Sequence, residues 1–158
     1  GHTADSLSFL LDPRDGTAAM VLTGDTILGE GTTVVAYPDG NLADYLASLA
    51  RLQELGAATV LPGHGPELSS AGEVATAYLA HREKRLAEVS TALAALGPDA
   101  TADAIVERVY ADVDRALWPA AELSVRAQLA YLRGRSGGEQ PPSGTISELG
   151  GSAVRGPE

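Results

Sequence analysis

The order of predicted secondary-structure elements is the feature that most constrains the fold of this chain. Two short apolar runs, Leu7–Leu11 and Ala18–Thr23, flank the turn-forming residues DPRDG, and this arrangement predicts a β-hairpin. Apolar residues then recur at three- and four-residue spacing over residues 42–55 before a glycine, which predicts a helix. Ala57–Leu61 is a further apolar run and predicts a third strand. The alternation of hairpin, helix and strand is typical of an α/β layer fold.

The second half of the sequence is predicted to be helical. Ser70 is a helix-capping residue, and the apolar spacing after it predicts a helix that reaches Leu96, where a Gly-Pro pair ends it. A second helix is expected to begin near Thr101, and a third is expected to cover about residues 119–133. Three helices of falling length joined by tight turns indicate a small helical module and are compatible with a helix-turn-helix.

These patterns divide the chain into three regions. Residues 1–68 are expected to form the α/β unit, residues 69–135 the helical domain, and residues 136–158 a tail. The tail is rich in glycine, serine and proline and has few large apolar residues, so we expect it to be disordered.

Charge is distributed unevenly along the chain, whose net charge is −10. Residues 1–81 contain ten acidic and two basic groups, whereas residues 82–135 contain eight of each. The acidic first half disfavours nucleic-acid binding there, because it repels phosphates unless cations intervene. The sequence has no run of 18 apolar residues and no secretory signal pattern, so we expect a cytoplasmic protein without a membrane span. Its bias towards alanine, glycine and arginine, with a single lysine, indicates a bacterial source.

Two of the three histidines follow a glycine and lie beside predicted strand ends. They are His2 in GHT and His64 in GHG, and Asp25 in TGDT lies at another strand end between them. Because the sequence has no cysteine, a metal would be held by histidine and carboxylate side chains. Two imidazoles and a carboxylate at one edge of a sheet would supply half of such a site.

Each of these residues also has an ordinary alternative role. A histidine in a loop usually makes hydrogen bonds, and an aspartate after a strand usually caps a turn or a helix. The third histidine, His81, lies in HREKR on a predicted helix, where we expect a helix-face or capping contact and no metal ligation.

The motifs occur in the order GHTADSLSFLL, LTGDTILG and LPGHGPE. In this order they resemble the later metal-binding motifs of the metallo-β-lactamase superfamily of hydrolases. The segments AYLAHREKRLAEV, TADAIVERVYADV and ELSVRAQLAYLRGR resemble the C-terminal winged-helix-like extension of its lactamase-β-like branch. The resemblance implies the C-terminal half of an αβ/βα sandwich followed by a small helical, winged-helix-like domain.

The resemblance also implies roles for individual residues. His2 would bind a first metal ion, Asp25 would bridge two ions in the catalytic centre, and His64 would bind the second ion. Two zinc ions are expected in the complete protein. Four polar residues would orient the imidazoles from behind: Thr3, Asp5, Ser6 and Thr26. Asp5 and Ser6 serve equally well as caps at the start of a strand.

A further motif of the family, HxHxDH, supplies the remaining metal ligands and does not occur in this sequence. We therefore expect the chain to be the C-terminal portion of an enzyme and to bind metal weakly by itself, because a catalytic zinc normally has three protein ligands. An exposed sheet edge in such a portion predicts low solubility and poorly cooperative thermal unfolding.

By resemblance, the activity is hydrolysis of an ester, thioester or phosphodiester by a hydroxide that two metal ions activate. The expected substrate is a small-molecule ester or thioester, or RNA. Seven arginines of the helical region would contact phosphates or form salt bridges with the acids around them: Arg82, Arg85, Arg108, Arg115, Arg126, Arg133 and Arg135. Balanced charge favours the salt bridges.

Two further hypotheses belong to other functional classes. The chain could be a nucleic-acid or protein binding module with a vestigial metal site, or a regulatory fragment without activity of its own. The sequence leaves the oligomeric state open.

Overall fold

The computed structural model describes residues 2–13 and 15–136 of the chain. Its elements follow in the order β1 (Phe9–Leu11), β2 (Met20–Gly24), α1 (Leu42–Gln53), β3 (Thr59–Pro62), α2 (Ala71–Leu96), α3 (Ala102–Val109) and α4 (Trp118–Ser136). A short 3₁₀ turn, Arg115–Leu117, precedes α4. The predicted hairpin, helix, strand and three further helices are confirmed, and their ends lie within three residues of the predicted ones. The expectation of falling helix length is wrong, because α4 has 19 residues and α3 has only 8.

The three strands form one sheet in the order β1-β2-β3. β1 runs antiparallel to β2, with Phe9 opposite Leu22, and β3 runs parallel to β2, with Val21 opposite Val60. Helix α1 makes the crossover that a parallel pair requires. Since β2 and β3 are parallel and Gly24 lies opposite Pro62, the residues that follow the two strands lie at the same edge of the sheet.

Helix α1 covers one face of this sheet. Its first turn is capped by Asn41, whose side chain accepts from the amide of Ala43 at 2.8 Å. Apolar residues recur at the helical spacing along its buried side, which includes Tyr45 and Leu49. They pack against Val21 and Val60 of the sheet and against the first part of α2 in one hydrophobic core.

Helix α2 joins two cores. It begins after Ser70, whose hydroxyl accepts from the amide of Glu73 at 3.2 Å, and it ends at Gly97, which has a φ of +98°. Its 26 residues span about 39 Å. Tyr78 packs in the first core and Val89 in the second, so the two cores are connected through one continuous helix.

The second core lies among α2, α3 and α4. Thr101 caps α3 by accepting from the amide of Ala104 at 3.3 Å. The residues that form this core are Val89, Ala92, Ile105, Val106, Ala121, Val125 and Leu129. The molecule is therefore a mixed α/β layer followed by a helical region, as the sequence predicts.

The division at residue 68 stays a prediction. The first core also includes Ala71 and Ala75 of α2 and Ala127 of α4, so helices of both halves contribute to it. The predicted tail, apart from residue 136, lies outside the described residues, as do Gly1 and Arg14. Within the described residues, no helix is long and apolar enough to cross a membrane.

Candidate metal centre

Asp25 and His64 lie at the edge of the sheet where β2 and β3 end. Gly24, with a φ of +52°, turns the chain out of β2, and Asp25 follows it directly. The Asp25 Oδ1 atom lies 3.5 Å from the His64 Nε2 atom. The two side chains are 38% and 78% exposed, so the pair faces solvent and is accessible to a ligand. The parallel register of the strands is what brings together two residues 39 positions apart in the sequence.

Glycine is required beside this pair. A Cβ atom on Gly63 would lie 2.7 Å from the Asp25 Oδ1 atom and 3.2 Å from the carbonyl carbon of Gly24. The Gly63 amide also donates to the Gly24 carbonyl at 2.9 Å. The backbone after β3 can therefore pass close to the carboxylate only because residue 63 has no side chain.

The two loops that carry Asp25 and His64 are in direct contact further along. The Gly29 amide donates to the His64 carbonyl at 2.8 Å. A Cβ atom on Gly29 would clash with the carbonyl oxygen of Pro66. The backbone that positions His64 is thus attached to the loop that begins at Asp25.

His2 is held in one orientation by the loop before α1. Its Nδ1 atom lies 2.5 Å from the carbonyl oxygen of Val34. A carbonyl can only accept a hydrogen bond, so Nδ1 carries the proton and the Nε2 lone pair is free for a metal. Metal-binding histidines commonly donate their other ring N–H to a carbonyl in this way. The His2 carbonyl in turn accepts from the Ala36 amide at 3.1 Å.

The Asp25–His64 pair fits part of a zinc site. Two ligands of one tetrahedral zinc, at the usual Zn–N and Zn–O distances, are about 3.3 Å apart, and the pair is separated by 3.5 Å. Imidazole and carboxylate are also ligands that zinc accepts. Within residues 2–13 and 15–136, however, no three His, Asp or Glu side chains are grouped as a metal site. A catalytic site would need further ligands besides these two.

The four residues predicted to orient the imidazoles have other hydrogen bonds in the structure. The Thr3 hydroxyl donates to the Asp5 carboxylate at 2.7 Å, and the Thr3 amide donates to the Ser6 hydroxyl at 2.9 Å. These two hydrogen bonds stabilise a turn after His2. Thr26 is buried and makes backbone hydrogen bonds that fix the turn after β2. The observed partner of the His2 imidazole is Val34. A role of the four residues in orienting metal ligands stays a prediction.

A set of buried side chains supports the loop after Asp25, and the sequence patterns described above did not predict this set. The Tyr45 hydroxyl donates to the Thr26 carbonyl at 2.8 Å, and the Thr33 hydroxyl donates to the Asp25 carbonyl at 2.7 Å. Arg82 donates to the Thr33 carbonyl and lies over the Tyr45 ring. One signal was present in the sequence: Arg82 follows Tyr78 by four positions and so lies on the apolar stripe of α2.

Burial changes the protonation of two groups near this set. It raises the pKa of the Tyr45 phenol, and Arg82 offsets part of that rise. Tyr45 therefore stays protonated and keeps its role as a donor at neutral pH. Burial also lowers the pKa of His81, and the neighbouring Arg82 and Arg85 lower it further.

Most of the arginines that could have formed a phosphate-binding surface make contacts within the protein. Arg85 pairs with Glu88 at 2.9 Å and Arg126 pairs with Glu122. Arg115 and Arg135 lie over aromatic rings, and Arg133 donates to backbone carbonyls. Of the seven arginines, Arg85 and Arg126 form the predicted kind of salt bridge, and the question of phosphate contacts stays open.

Comparison with known proteins identifies the family of the chain. The beta-lactamase associated winged helix domain matches residues 101–134, which include α3 and most of α4. A beta-lactamase-like protein 2 homolog of Caenorhabditis elegans is 35% identical over 97% of this chain and 49% of its own length. A solved structure of a metallo-beta-lactamase family protein from Thermus thermophilus has a TM-score of 0.57 and 27% identity, over 74% of this chain and 37% of that one. The chain belongs to the metallo-β-lactamase superfamily.

This superfamily membership confirms the fold predicted from the three motifs and the helical segments. A further relative, an atrochrysone carboxyl ACP thioesterase of Aspergillus fumigatus, is 33% identical over 59% of this chain and 27% of its own length. The chain spans about half the length, or less, of the curated relatives it matches. They come from animals and fungi and the solved structures from bacteria, so the comparisons do not single out a bacterial source.

Proposed function

We propose that this chain acts in a zinc-dependent hydrolase of esters or thioesters. In this proposal His2, Asp25 and His64 are ligands of two zinc ions. The observation that carries the proposal is the 3.5 Å separation of Asp25 Oδ1 and His64 Nε2 at the ends of two parallel strands. The second support is the His2 imidazole, whose Nδ1 is bonded to Val34 so that Nε2 is left for a metal.

The residues of this chain would hold and orient the metals in distinct ways. Asp25 has two carboxylate oxygens, so it could contact two ions, which is the bridging role that the family resemblance implies. His64 is exposed and would bind through Nε2, the atom that faces Asp25. When bound, zinc supplies a hydroxide nucleophile at neutral pH and polarises the carbonyl oxygen under attack. The remaining ligands would come from an HxHxDH motif, as the family resemblance implies.

A thioester or ester is the substrate class that we favour. One relative that is 33% identical is named as an acyl carrier protein thioesterase. RNA is the alternative substrate, but the arginines of the helical region are largely engaged with acids, rings and carbonyls of the chain itself. No described contact favours the hypothesis of a binding module with a vestigial site. The cytoplasmic location stays a prediction.

The decisive experiment measures metal content and hydrolysis in the full-length product of the gene. We expect about two zinc ions per chain by inductively coupled plasma mass spectrometry. We also expect turnover of acyl thioesters in a panel that includes esters, lactones, phosphodiesters and short RNA. Absence of bound zinc after metal reconstitution would contradict the proposal, and cleavage of RNA alone would replace the substrate class.

A glycine substitution tests the site itself. In Gly63→Ala the added methyl group would lie 2.7 Å from Asp25 Oδ1, so we expect the zinc content to fall towards one per chain and the thioester turnover to fall at least tenfold. Gly134→Ala is the matched control, because a Cβ atom there meets nothing within 4 Å. It should leave both readouts unchanged and raise stability by about 0.5–1 kcal/mol, as alanine favours a helix. Equal zinc content in the two variants would show that the metals bind elsewhere.

A further inference from the structure

Arg82 is an unusual residue for the interior of this protein. It is only 5% exposed and lies on α2 among residues of the first hydrophobic core. A guanidinium stays charged in a protein, and buried charges are normally paired with an opposite charge. None of the ion pairs in the described part of the chain involves Arg82. Its charge is therefore stabilised by a backbone carbonyl and an aromatic ring.

Two contacts of the Arg82 guanidinium lead, directly or through Tyr45 of α1, to the loop that begins at Asp25, whereas its buried Nε–H has no hydrogen-bond partner among the described residues. Its Nη2 atom donates to the Thr33 carbonyl, and its guanidinium lies 5.1 Å from the centroid of the Tyr45 ring. The hydroxyl of Thr33 reaches the Asp25 carbonyl at 2.7 Å, and the hydroxyl of Tyr45 reaches the Thr26 carbonyl at 2.8 Å. We refer to Arg82, Thr33 and Tyr45 together as the brace.

The brace acts on the backbone of Asp25 and leaves its carboxylate unoccupied. Its hydrogen bonds end on the carbonyls of residues 25, 26 and 33, on the buried side of the loop. The Asp25 side chain is 38% exposed and lies next to His64, and none of the described hydrogen bonds of the brace ends on its carboxylate. Fixing the backbone from within sets the direction of an exposed side chain without using any of its ligand atoms.

We propose that Arg82 is a positioning residue that holds the Asp25 carboxylate towards His64 through the brace. The proposal rests on the proposed function, because it assigns the purpose of that orientation to metal binding. The guanidinium suits this role because it can donate to a carbonyl and lie on an aromatic ring at the same time. An aliphatic side chain would fill the space on α2 but would leave the Thr33 carbonyl without its donor.

The test compares four variants of the full-length gene product. Arg82→Met removes the donor, Arg82→Lys keeps the charge without the planar fork, and Thr33→Val removes only the hydroxyl that reaches Asp25. Arg126→Met is the matched control, because the Arg126 side chain is 53% exposed and pairs with Glu122. Zinc affinity is measured by competition with a chelator, and the absorption spectrum of the cobalt-substituted protein reports the ligand geometry.

We expect Arg82→Met and Thr33→Val to weaken zinc affinity by about 10- to 100-fold, the usual effect of losing a group that supports a metal ligand. Both should alter the cobalt spectrum, Arg82→Lys should recover part of the affinity, and Arg126→Met should match the wild type. Wild-type affinity and spectrum in folded Arg82→Met and Thr33→Val would overturn the proposal. If Arg82→Met fails to fold, Thr33→Val decides, since valine has nearly the shape of threonine and leaves the carbonyl that Arg82 contacts.

Hydrogen exchange separates failure of the brace from failure of the proposed function. If the wild-type product binds no zinc, the proposed function fails. The exchange of the amides of residues 26–33 still tests the brace in that case. Faster exchange in Arg82→Met and Thr33→Val than in Arg126→Met would support positioning of Asp25 by the brace, and equal exchange in all three would overturn it.

Discussion

The protonation of His81 is determined by its position on α2. Partial burial is the largest cause that lowers the pKa of the imidazole, and the positive charges of Arg82 and Arg85 add to it. The folded chain therefore holds this histidine in its neutral form at pH values where a free histidine begins to be protonated.

This environment makes stability depend on pH. The unfolded His81 has a pKa near the ordinary value of 6.5 and the folded one has a lower pKa. Below that ordinary value the unfolded chain binds a proton that the folded chain does not, so the free energy of unfolding falls as the pH falls. The stability associated with neutral His81 is fully present above pH 6.5 and is lost as the pH falls towards the lower pKa of the folded state. Urea denaturation between pH 7.5 and 5.5 should show a smaller decline in His81→Gln than in the wild type.

Equal declines in the two proteins would mean that other groups account for the pH dependence. His81→Gln is suited to this comparison because glutamine does not titrate and is of similar length. Its stability at pH 7.5 provides the reference for each curve.

The candidate metal ligands were selected from the order of three short motifs, whereas the groups that support them were not predicted. Asp25 and His64 stand out because each follows an apolar run and a glycine, which is a local pattern. The Val34 carbonyl and the Arg82 guanidinium depend on the path of residues 26–41, where the described chain has no helix or strand. No periodicity constrains such a path, so only the folded structure shows which groups meet.

At the scale of elements, β1 differs from the other strands. All three of its residues are exposed, and Phe9 has 61% of its surface in solvent. Phe9 lies opposite Leu22, which is itself 39% exposed, and residues directly opposite share a face of the sheet. β1 is also a terminal strand of the described sheet. An apolar edge strand of this kind promotes association between chains.

We therefore expect the isolated chain to self-associate with increasing concentration. Phe9→Lys should shift sedimentation-velocity profiles towards the monomer, because a charge on an edge strand opposes strand pairing. Leu96→Lys provides the control, since Leu96 is also exposed, at 44%, but ends α2. If both variants reduce association equally, general surface hydrophobicity and not the strand is responsible.

The helices were easier to predict than the sheet. The capping hydroxyls of Ser70 and Thr101 act on amides three residues away, so the signal and the structure are neighbours in the sequence. The pairing of Val21 with Val60 joins residues 39 positions apart. Its parallel direction follows from the alternation of elements, but its register was not readable from either strand alone.

At the scale of the whole molecule, two cores share the same long helix. Leu49 belongs to the first core and Ile105 to the second, and both are fully buried. Helix α2 contributes Tyr78 to one core and Val89 to the other. Because the two cores are separate clusters of buried residues, we expect unfolding in more than one step.

Native-state hydrogen exchange tests this division. Ile105→Ala should cost the second core about 2–5 kcal/mol by leaving a cavity, and the amides of α3 should lose much more protection than those of β2. Leu49→Ala should show the opposite pattern. Equal loss in both regions for either variant would mean that the two cores unfold as one unit.

The loops that carry Asp25 and His64 touch at Gly29 and Pro66, and we call this contact the loop crossing. It limits how the lengths of the two loops can change. Gly29 and Pro66 leave no room between their backbones, and the Gly29 amide is bonded to the His64 carbonyl. One residue added to or removed from either loop would shift this crossing and rotate His64 away from Asp25. Insertions belong instead at the turn near Gly16, where a Cβ atom would meet nothing within 4 Å. A tag or a recognition sequence for a protease placed there would leave the loop crossing intact.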